Sequence, residues 1–458
     1  MEGTKKKHIK IGCAILFCIL LGIYLGVSFY FKNHFYFNTN INGHSVSGKT
    51  VDEIENELMK KSEKYVLQLK ELDNKTEEIK GKDINLKYDI EGKVQAVKDK
   101  ENPFAWISSI FKKKEYKLDN AIIYDNALLD EAITKLSAMD LNNVVEPKNP
   151  VLEYKDGKYN IIDEVEGNKL KEDVFKEKII EAINGQQASI DLENLNCYEK
   201  PKYTSKSDEV KKAKDTLDKY VSTKITYEVA NTKDVLDASI VNKWLNVDNE
   251  FNVVIDEDAV ANYAFMLASK YNTWQGTRNF VTSEGKTIKV SGGNYGWIIN
   301  KDEEQQELIK SVKNGEQKTR KPIYLQTALV EGENDVGNTY VEINLTKQYM
   351  WYYKDGQLVT EGKVVTGMGT NEHATPPGTY QLNYKERNAT LKGENYETKV
   401  SYWMPFNNDI GIHDATWRKD FGGEIYMNDG SHGCVNAPYN LAGKIFESIQ
   451  PGMPVICY

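Results

Sequence analysis

Twenty-one consecutive residues without a charge, positions 11–31 (IGCAILFCILLGIYLGVSFYF), constrain this chain more than any other stretch. A helix rising about 1.5 Å per residue carries such a run across roughly 30 Å, the thickness of a bilayer's hydrocarbon core. Lys5, Lys6, Lys7 and Lys10 stand ahead of it, and the positive-inside bias keeps residues 1–10 in the cytoplasm as a short tail. A secretory signal has a shorter apolar stretch, about 7–15 residues, that ends in small residues at a cleavage site. This run ends in SFYFKNHFYF instead. Residues 11–31 therefore read as an uncleaved transmembrane anchor that crosses the cell membrane once, with the remainder outside. Tyr24, Phe29, Tyr30, Phe31, Phe35 and Tyr36 are expected at the far interface, where aromatic rings collect.

A length of 458 residues implies roughly three domains. A net charge of −9 excludes the basic field that nucleic acid requires, so no nucleic-acid partner is expected. It also excludes simple electrostatic adhesion to an anionic wall. Of five cysteines, Cys13 and Cys18 fall in the apolar run, which leaves Cys197, Cys434 and Cys457. An odd number gives no disulfide framework, and with no C-x-x-C pair and dispersed histidines no metal site is expected.

Beyond the anchor, residues 32–118 read as a membrane-proximal α+β region. Thr50 and Glu53 fit a capping box, with Val51, Ile54 and Leu58 as the apolar stripe of the helix behind it. Segments 65–69 and 84–88 alternate like two strands around a Gly81-Lys82 turn, and His44 reads as a surface turn residue. Trp106, Ile107, Ile110 and Phe111, just before Lys112-Lys113-Lys114, are expected to pack into a core under the next domain, with membrane contact as the alternative.

The middle of the chain repeats itself. Asp125 in IYDNALLD is echoed by Asp256 in VIDEDAV, Gly157 in KDGK by Gly285 in SEGK, and Gly185 in IIEAING by Gly315 in IKSVKNG. The spacings (125 to 256, 157 to 285, 185 to 315) are 131, 128 and 130 positions. One duplicated unit is expected, in the order helix, hairpin with an acidic-Gly turn, helix, strand, which is an α+β domain. Copies are placed at 119–200 and 201–330. With the INGHSVSGKT segment ahead of them, they resemble the peptidoglycan-binding domains of Gram-positive wall enzymes, which implies that they bind the wall; the alternative is that they only lift the last domain off the membrane. Residues 331–337 (EGENDVG) read as a polar linker.

From position 339 the period falls to two. Val341, Ile343 and Leu345 alternate with polar residues, 349–353 run to a Lys354-Asp355-Gly356 turn, and 358–359 and 364–365 continue a sheet. Thr375-Pro376-Pro377-Gly378 is a rigid turn, and helical spacing is confined to 439–449, where Leu441, Ile445 and Ile449 share a face. Residues 338–458 are thus expected to form a mostly β domain.

That domain carries the chemistry. Cys434 sits in Ser431-His432-Gly433-Cys434, one loop after His413. A thiol of ordinary pKa about 8.5 is mostly protonated at neutral pH, and an imidazole that takes its proton makes it a nucleophile. His413, at the end of an alternating GIH segment, is the candidate base. Its other ring nitrogen needs a partner, for which Asp414, Asp420, Asp429 or a backbone carbonyl would serve. The amides around Gly433 and Cys434 are candidate oxyanion donors, and Ser431 and Asn436 are candidates to hold the turn. His432 could line the pocket, donate to the oxyanion or brace the loop. Cys197 and Cys457 read as structural, and His373 as a turn residue.

His413, seventeen residues, then Ser431-His432-Gly433-Cys434-Val435-Asn436 resembles the signature of the L,D-transpeptidase catalytic domain. The likeness runs over 338–458 and includes QYMWYYKDGQLV, VVTG at 364–367, and TPPG, where Pro377 replaces a residue commonly other than proline. The resemblance implies a β-sandwich-like domain with Cys434 as nucleophile and His413 as general base. Gly433 and His432 would belong to the oxyanion and substrate pocket, supported by Ser431. It implies a thioester formed at the third residue of a tetrapeptide stem with loss of D-alanine, then attack by a neighbouring stem's side-chain amine to give a three-to-three peptidoglycan cross-link. Acylation by carbapenems is implied as well, and no cofactor is called for. Alternatives are an L,D-carboxypeptidase, with water as acceptor, and a wall-binding scaffold without activity. A sortase is disfavoured by SHGC in place of a Thr-x-Thr-Cys end and by the lack of an arginine after Arg418, and Cys-then-His endopeptidases by the lack of a histidine after Cys434.

Overall fold

The computed structural model describes residues 2–118, 122–332, 334–369, 372–393 and 396–458. It forms two compact units, Met1–Val151 with Asp163–Ser205, and Leu152–Ile162 with Lys206–Tyr458.

The first unit opens with α1 (Glu2–Tyr30), a helix long and apolar enough to cross a membrane. Phe31, Phe35 and Tyr36 do not stay at a membrane interface as expected: all three are fully buried. The chain turns after Tyr30, and Phe35 packs with Ile41, Val46, Ile54 and Val94, since a ring gains more by full burial than by lying at a wet interface. Helix α2 (Val51–Glu63) starts at Thr50 with both hydrogen bonds of the capping box in place. Conversely, Ile107, Ile110 and Phe111, expected in a core, are exposed.

Strand β1 (Val66–Lys70) pairs antiparallel with β2 (Thr76–Lys80). The second strand expected at 84–88 is displaced: Gly81–Ile84 is a 3-10 turn, and Lys87–Tyr88 pairs with Ile122–Ile123. Asp125 caps α3 (Asn126–Thr134), the hairpin β3 (Val151–Lys155) and β4 (Lys158–Ile162) follows, and α4 (Glu172–Asn184) leads into β5 (Ser189–Asp191). Strand β5 returns to pair in parallel with β1. Leu67, Leu69 and Ile79 therefore share one core with Leu129, Phe175 and Ile179. The boundary drawn at 118/119 cuts through that core, because its strand partners are too far apart in sequence for local patterning to show; residues 119–121 themselves lie outside the described residues.

In the second unit, α5 (Asp208–Val221) precedes β6 (Lys224–Val229) and β7 (Thr232–Leu236). After them come α6 (Glu257–Tyr271), the hairpin β8 (Thr277–Val281) and β9 (Thr287–Ser291), α7 (Lys301–Asn314) and β10 (Gln317–Arg320). Its sheet order β7-β6-β10 has the pattern of β2-β1-β5: an antiparallel hairpin joined in parallel by the strand after the last helix. Residues of β4 also contribute here. Tyr159 is buried with Leu217, Ile225 and Leu236, and its N–H donates to Asp218 at 2.7 Å.

The β8–β9 hairpin leans forward in the same way. Phe280 and Val290 pack with Val336 and Ile456 of the C-terminal domain, and Ser283 donates to the Glu342 carboxylate from its N–H at 2.9 Å and from Oγ at 2.5 Å. The segment expected as a linker, 331–337, of which residue 333 lies outside the described residues, consequently has a buried part at Asp335 and Val336. Asp335 is fully buried and takes two hydrogen bonds from Arg278, Nε to Oδ1 and Nη2 to Oδ2, each 2.7 Å. Its polar composition reflects a buried ion pair, and the expected loose connection is a fixed joint.

The C-terminal domain holds a sheet of β11 (Tyr340–Asn344), β12 (Tyr349–Lys354), β13 (Gln357–Lys363), β14 (Gly378–Gln381) and a last strand, and a second sheet of β15 (Glu386–Gly393), β16 (Tyr396–Asn407), β17 (Ile410–Asp414) and β18 (Val435–Ala437). Helix α8 (Tyr439–Ser448) precedes the last strand, β19 (Pro454–Cys457), which runs parallel to β11 in the order β13-β12-β11-β19-β14. Both sheets and α8 contribute to one core, with Ile343, Tyr352, Phe406, Ile412, Val435 and Ile445 in it. Cys457 is buried in this core and Cys197 in the first unit's. A one-turn helix at Ile425–Asp429 went unseen in the sequence, being shorter than a periodicity can show.

Candidate active site

Strand alternation places His413. On β17, Ile412 points into the core, so its neighbour His413 faces the other way and lines a cavity of about 390 Å³. Strand β18 runs parallel beside it, with Ile412 opposite Val435 and His413 opposite Asn436. Cys434, just ahead of β18, opens on the same cavity with Ser431, His432 and Asn436. The structure thus places His413, Ser431, His432, Cys434 and Asn436 around one cavity, with Gly433 in the turn before Cys434.

The loop that holds Cys434 is tied down from outside itself. Val365 and Asn436 exchange backbone hydrogen bonds at 2.9 and 2.8 Å, Met368 donates to the Ser431 carbonyl at 2.9 Å, and Ser431 donates to the Thr366 carbonyl at 3.0 Å. Thr375 Oγ1 donates to the Gly433 carbonyl at 2.7 Å and accepts from the Gly367 N–H at 2.9 Å. VVTG and TPPG are therefore clamps on the thiol loop. Gly367 is required by close approach: a Cβ there would lie 2.0 Å from the His373 carbonyl oxygen and 2.8 Å from the Gly433 Cα. Gly433 has φ +116°, and a Cβ would meet Ile410 at 3.0 Å. Ser431 Oγ accepts from the Gly433 N–H at 3.1 Å and donates to the Cys434 carbonyl at 2.5 Å, so that amide is committed within the turn. His432 packs edge-on against His373, ring centroids 4.5 Å apart.

The second nitrogen of His413 has its partner in the main chain. Nδ1 lies 2.9 Å from the Asp414 carbonyl oxygen, which can only accept. In the neutral ring Nδ1 therefore carries the proton and Nε2 the lone pair. The Asp414 carboxylate is engaged elsewhere, accepting the Tyr402 N–H at 2.8 Å. The ring lies between Trp417, at 5.8 Å, and Trp403, at 6.0 Å. Burial lowers the His413 pKa below the ordinary 6.5, against the pull of the Asp414 carbonyl and carboxylate. Burial also pushes the Cys434 thiol up to about 11, with Asp409 adding to it and a hydrogen bond from the Gly411 N–H opposing it. The thiol donates to the Asp409 carbonyl at 3.5 Å. Both groups are thus neutral near pH 7, and the cavity holds a thiol and a neutral imidazole rather than a preformed ion pair.

Residues 338–457 match the model of the L,D-transpeptidase catalytic domain. A crystal structure of an Enterococcus faecium L,D-transpeptidase, a cysteine-to-serine mutant, is 33% identical over 53% of this chain and 98% of its own, with a TM-score of 0.45. The chain belongs to the L,D-transpeptidase family. An NMR structure of the E. faecium L,D-transpeptidase catalytic domain acylated by ertapenem is 41% identical over 27% of this chain and 98% of its own, with a TM-score of 0.25. Residues 77–191 and 203–320 each match a peptidoglycan binding domain family. No curated protein matches the chain.

The cavity is also lined by residues that the sequence did not single out: Leu391 and Thr398, from β15 and β16, and Trp417 and Arg418. Arg418 Nη1 pairs with Asp429 at 2.8 Å, while its Nε, like the Asn436 Oδ1, is buried without a hydrogen-bond partner among the described residues. Only the position of Arg418 between the histidine and the thiol loop could have marked it.

Proposed function

We propose that this chain is a membrane-anchored L,D-transpeptidase that forms three-to-three peptidoglycan cross-links through a thioester on Cys434. The observation that carries this is the opening of Cys434 and His413 from adjacent strands onto one cavity, in a domain of that family. Cys434 Sγ leaves its Asp409 acceptor, gives its proton to Nε2 of His413 and bonds to the carbonyl carbon that joins the third stem residue to D-alanine. The C–N bond breaks, His413 returns the proton to the departing amine, and D-alanine leaves. The side-chain amine of a second stem then attacks the thioester, His413 takes its proton, and the thiol is restored.

Gly433, His432, Ser431 and Asn436 complete the pocket. With the Gly433 amide held by Ser431, the Cys434 amide is the better placed oxyanion donor in the turn. The free Asn436 Oδ1 suits a stem N–H, and the Arg418 guanidinium suits a stem carboxylate. The two segments that match the peptidoglycan-binding family are copies of one unit and give the enzyme a hold on the wall. Helix α1 is the anchor, cytoplasmic at its N-terminus, and the catalytic domain works outside the membrane at the wall.

Incubating the full chain in detergent with tetrapeptide muropeptides tests the acceptor. Cross-linked dimers with release of D-alanine are expected; tripeptide monomers without dimers would make the chain a carboxypeptidase. The pH profile follows from the two neutral groups. A base with a lowered pKa is unprotonated from a lower pH, so the acid limb of carbapenem acylation should fall below 6.5. With the thiol titrating at about 11, the second-order rate should then stay flat from about pH 7 to about pH 10. A tenfold rise per pH unit across that range would mean that only free thiolate reacts, without help from His413.

A further inference from the structure

We propose that residues 103–111 form an apolar finger that inserts into the outer leaflet of the membrane beside α1, so that the first unit is held to the bilayer at two points. This rests on the anchor assigned to α1. The finger consists of a 3-10 turn, Pro103–Ala105, and a short helix, Ile107–Phe111. It touches the helix within the apolar run itself, well before Lys32, the first charged residue after that run. Tyr24 Oη donates to the Phe104 carbonyl at 2.7 Å. The Trp106 ring stacks on Tyr24 at 6.2 Å and lies against Phe31 at 6.1 Å.

Length decides where this contact sits. If the bilayer began only below the finger, the residues left to cross it would be 11–23. Those span roughly 20 Å as a helix, against roughly 30 Å of hydrocarbon. Only the full helix to Tyr30 is long enough, and Tyr24 then lies about 9 Å inside its outer end. Whatever packs on Tyr24 is at that depth too. The finger is dressed for it: Phe104, Ile107, Ile110 and Phe111 are exposed, Phe111 at 84%, which water would penalise and acyl chains accept. The three lysines that follow, Lys112, Lys113 and Lys114, stand where the finger turns back out. Lys112 and Lys113 are exposed and can reach lipid phosphates. The occupant of this surface is therefore the lipid of the membrane that α1 crosses.

The test uses the full chain in vesicles of phosphatidylcholine and phosphatidylglycerol whose acyl chains are brominated near the glycerol end. Bromine quenches tryptophan only on close approach. Quenching of part of the emission is expected, and its loss in Trp106→Phe, while Phe111→Trp in that background restores it. Should Trp106→Phe misfold, Phe111→Trp alone must increase quenching. Equal quenching of the parent and both variants, in protein that alkaline carbonate cannot extract, overturns the finger and leaves the anchor standing. Extraction by carbonate overturns both.

Discussion

The Cys434→Ala protein is expected to take up no carbapenem: intact-mass spectrometry of the full chain should find the unmodified mass after an incubation that converts the parent completely. Cys13→Ser and Cys18→Ser, on α1, should keep the adduct. His413→Ala is expected to slow acylation by roughly 10²–10⁴-fold, the usual contribution of a positioned base. The loss should be toward the upper end here, because burial holds the Cys434 thiol up at about 11 and little thiolate forms without the base. Acylation of Cys434→Ala, or of His413→Ala at the parent's rate, would remove the respective residue from the reaction.

Asp335→Ala is expected to destabilise the second unit by about 3–5 kcal/mol, the cost of leaving one member of a buried ion pair alone. Arg278 and Asp335 are both buried. The guanidinium also donates to the Thr273 and Tyr295 carbonyls at 3.0 and 3.1 Å, Thr273 Oγ1 donates to Asp335 at 2.6 Å, and the Tyr295 hydroxyl donates to the Asp335 carbonyl at 2.9 Å. Removing the carboxylate therefore strands a cation with donors it cannot use. Lys392→Ala, which breaks a surface pair with Glu397, should change stability by about 1 kcal/mol or less. Urea denaturation in detergent, followed by tryptophan emission, compares the two. Equal midpoints for Asp335→Ala and the parent would show that the joint between residues 331 and 338 carries no stability.

How legible the sequence is depends on the distance between partners. Cys434, His413 and their turn were readable because the chemistry is local: a small-residue loop and a strand end one excursion apart. The strands of the last domain were readable from alternation, with Val341 and Ile343 inward and polar neighbours between them. The division at 118/119 failed because β1 finds its third strand only at β5. Residues 331–337 looked like a linker because Arg278, which makes Asp335 a buried residue, lies 57 positions upstream. Phe31, Phe35 and Tyr36 shared their hydropathy with the anchor, and only the turn after Tyr30 separates ring from lipid. Leu391, Thr398 and Trp417 carry no chemical signature; the first two acquire their place from β15 and β16, and Trp417 from the loop after β17.

The two forward-leaning hairpins bear on how the protein matures as it leaves the ribosome. Tyr159 cannot finish its burial until Leu217 and Asp218 have been made, and Phe280 waits in the same way for Ile456. Each hairpin is a pending docking site that the next stretch of chain completes, which orders assembly along the chain. A chain halted before residue 208 would leave Tyr159 without the α5 residues Leu217 and Val221 that bury it. Excision of the second segment that matches the peptidoglycan-binding family should, for separate study, carry Leu152–Ile162 with it.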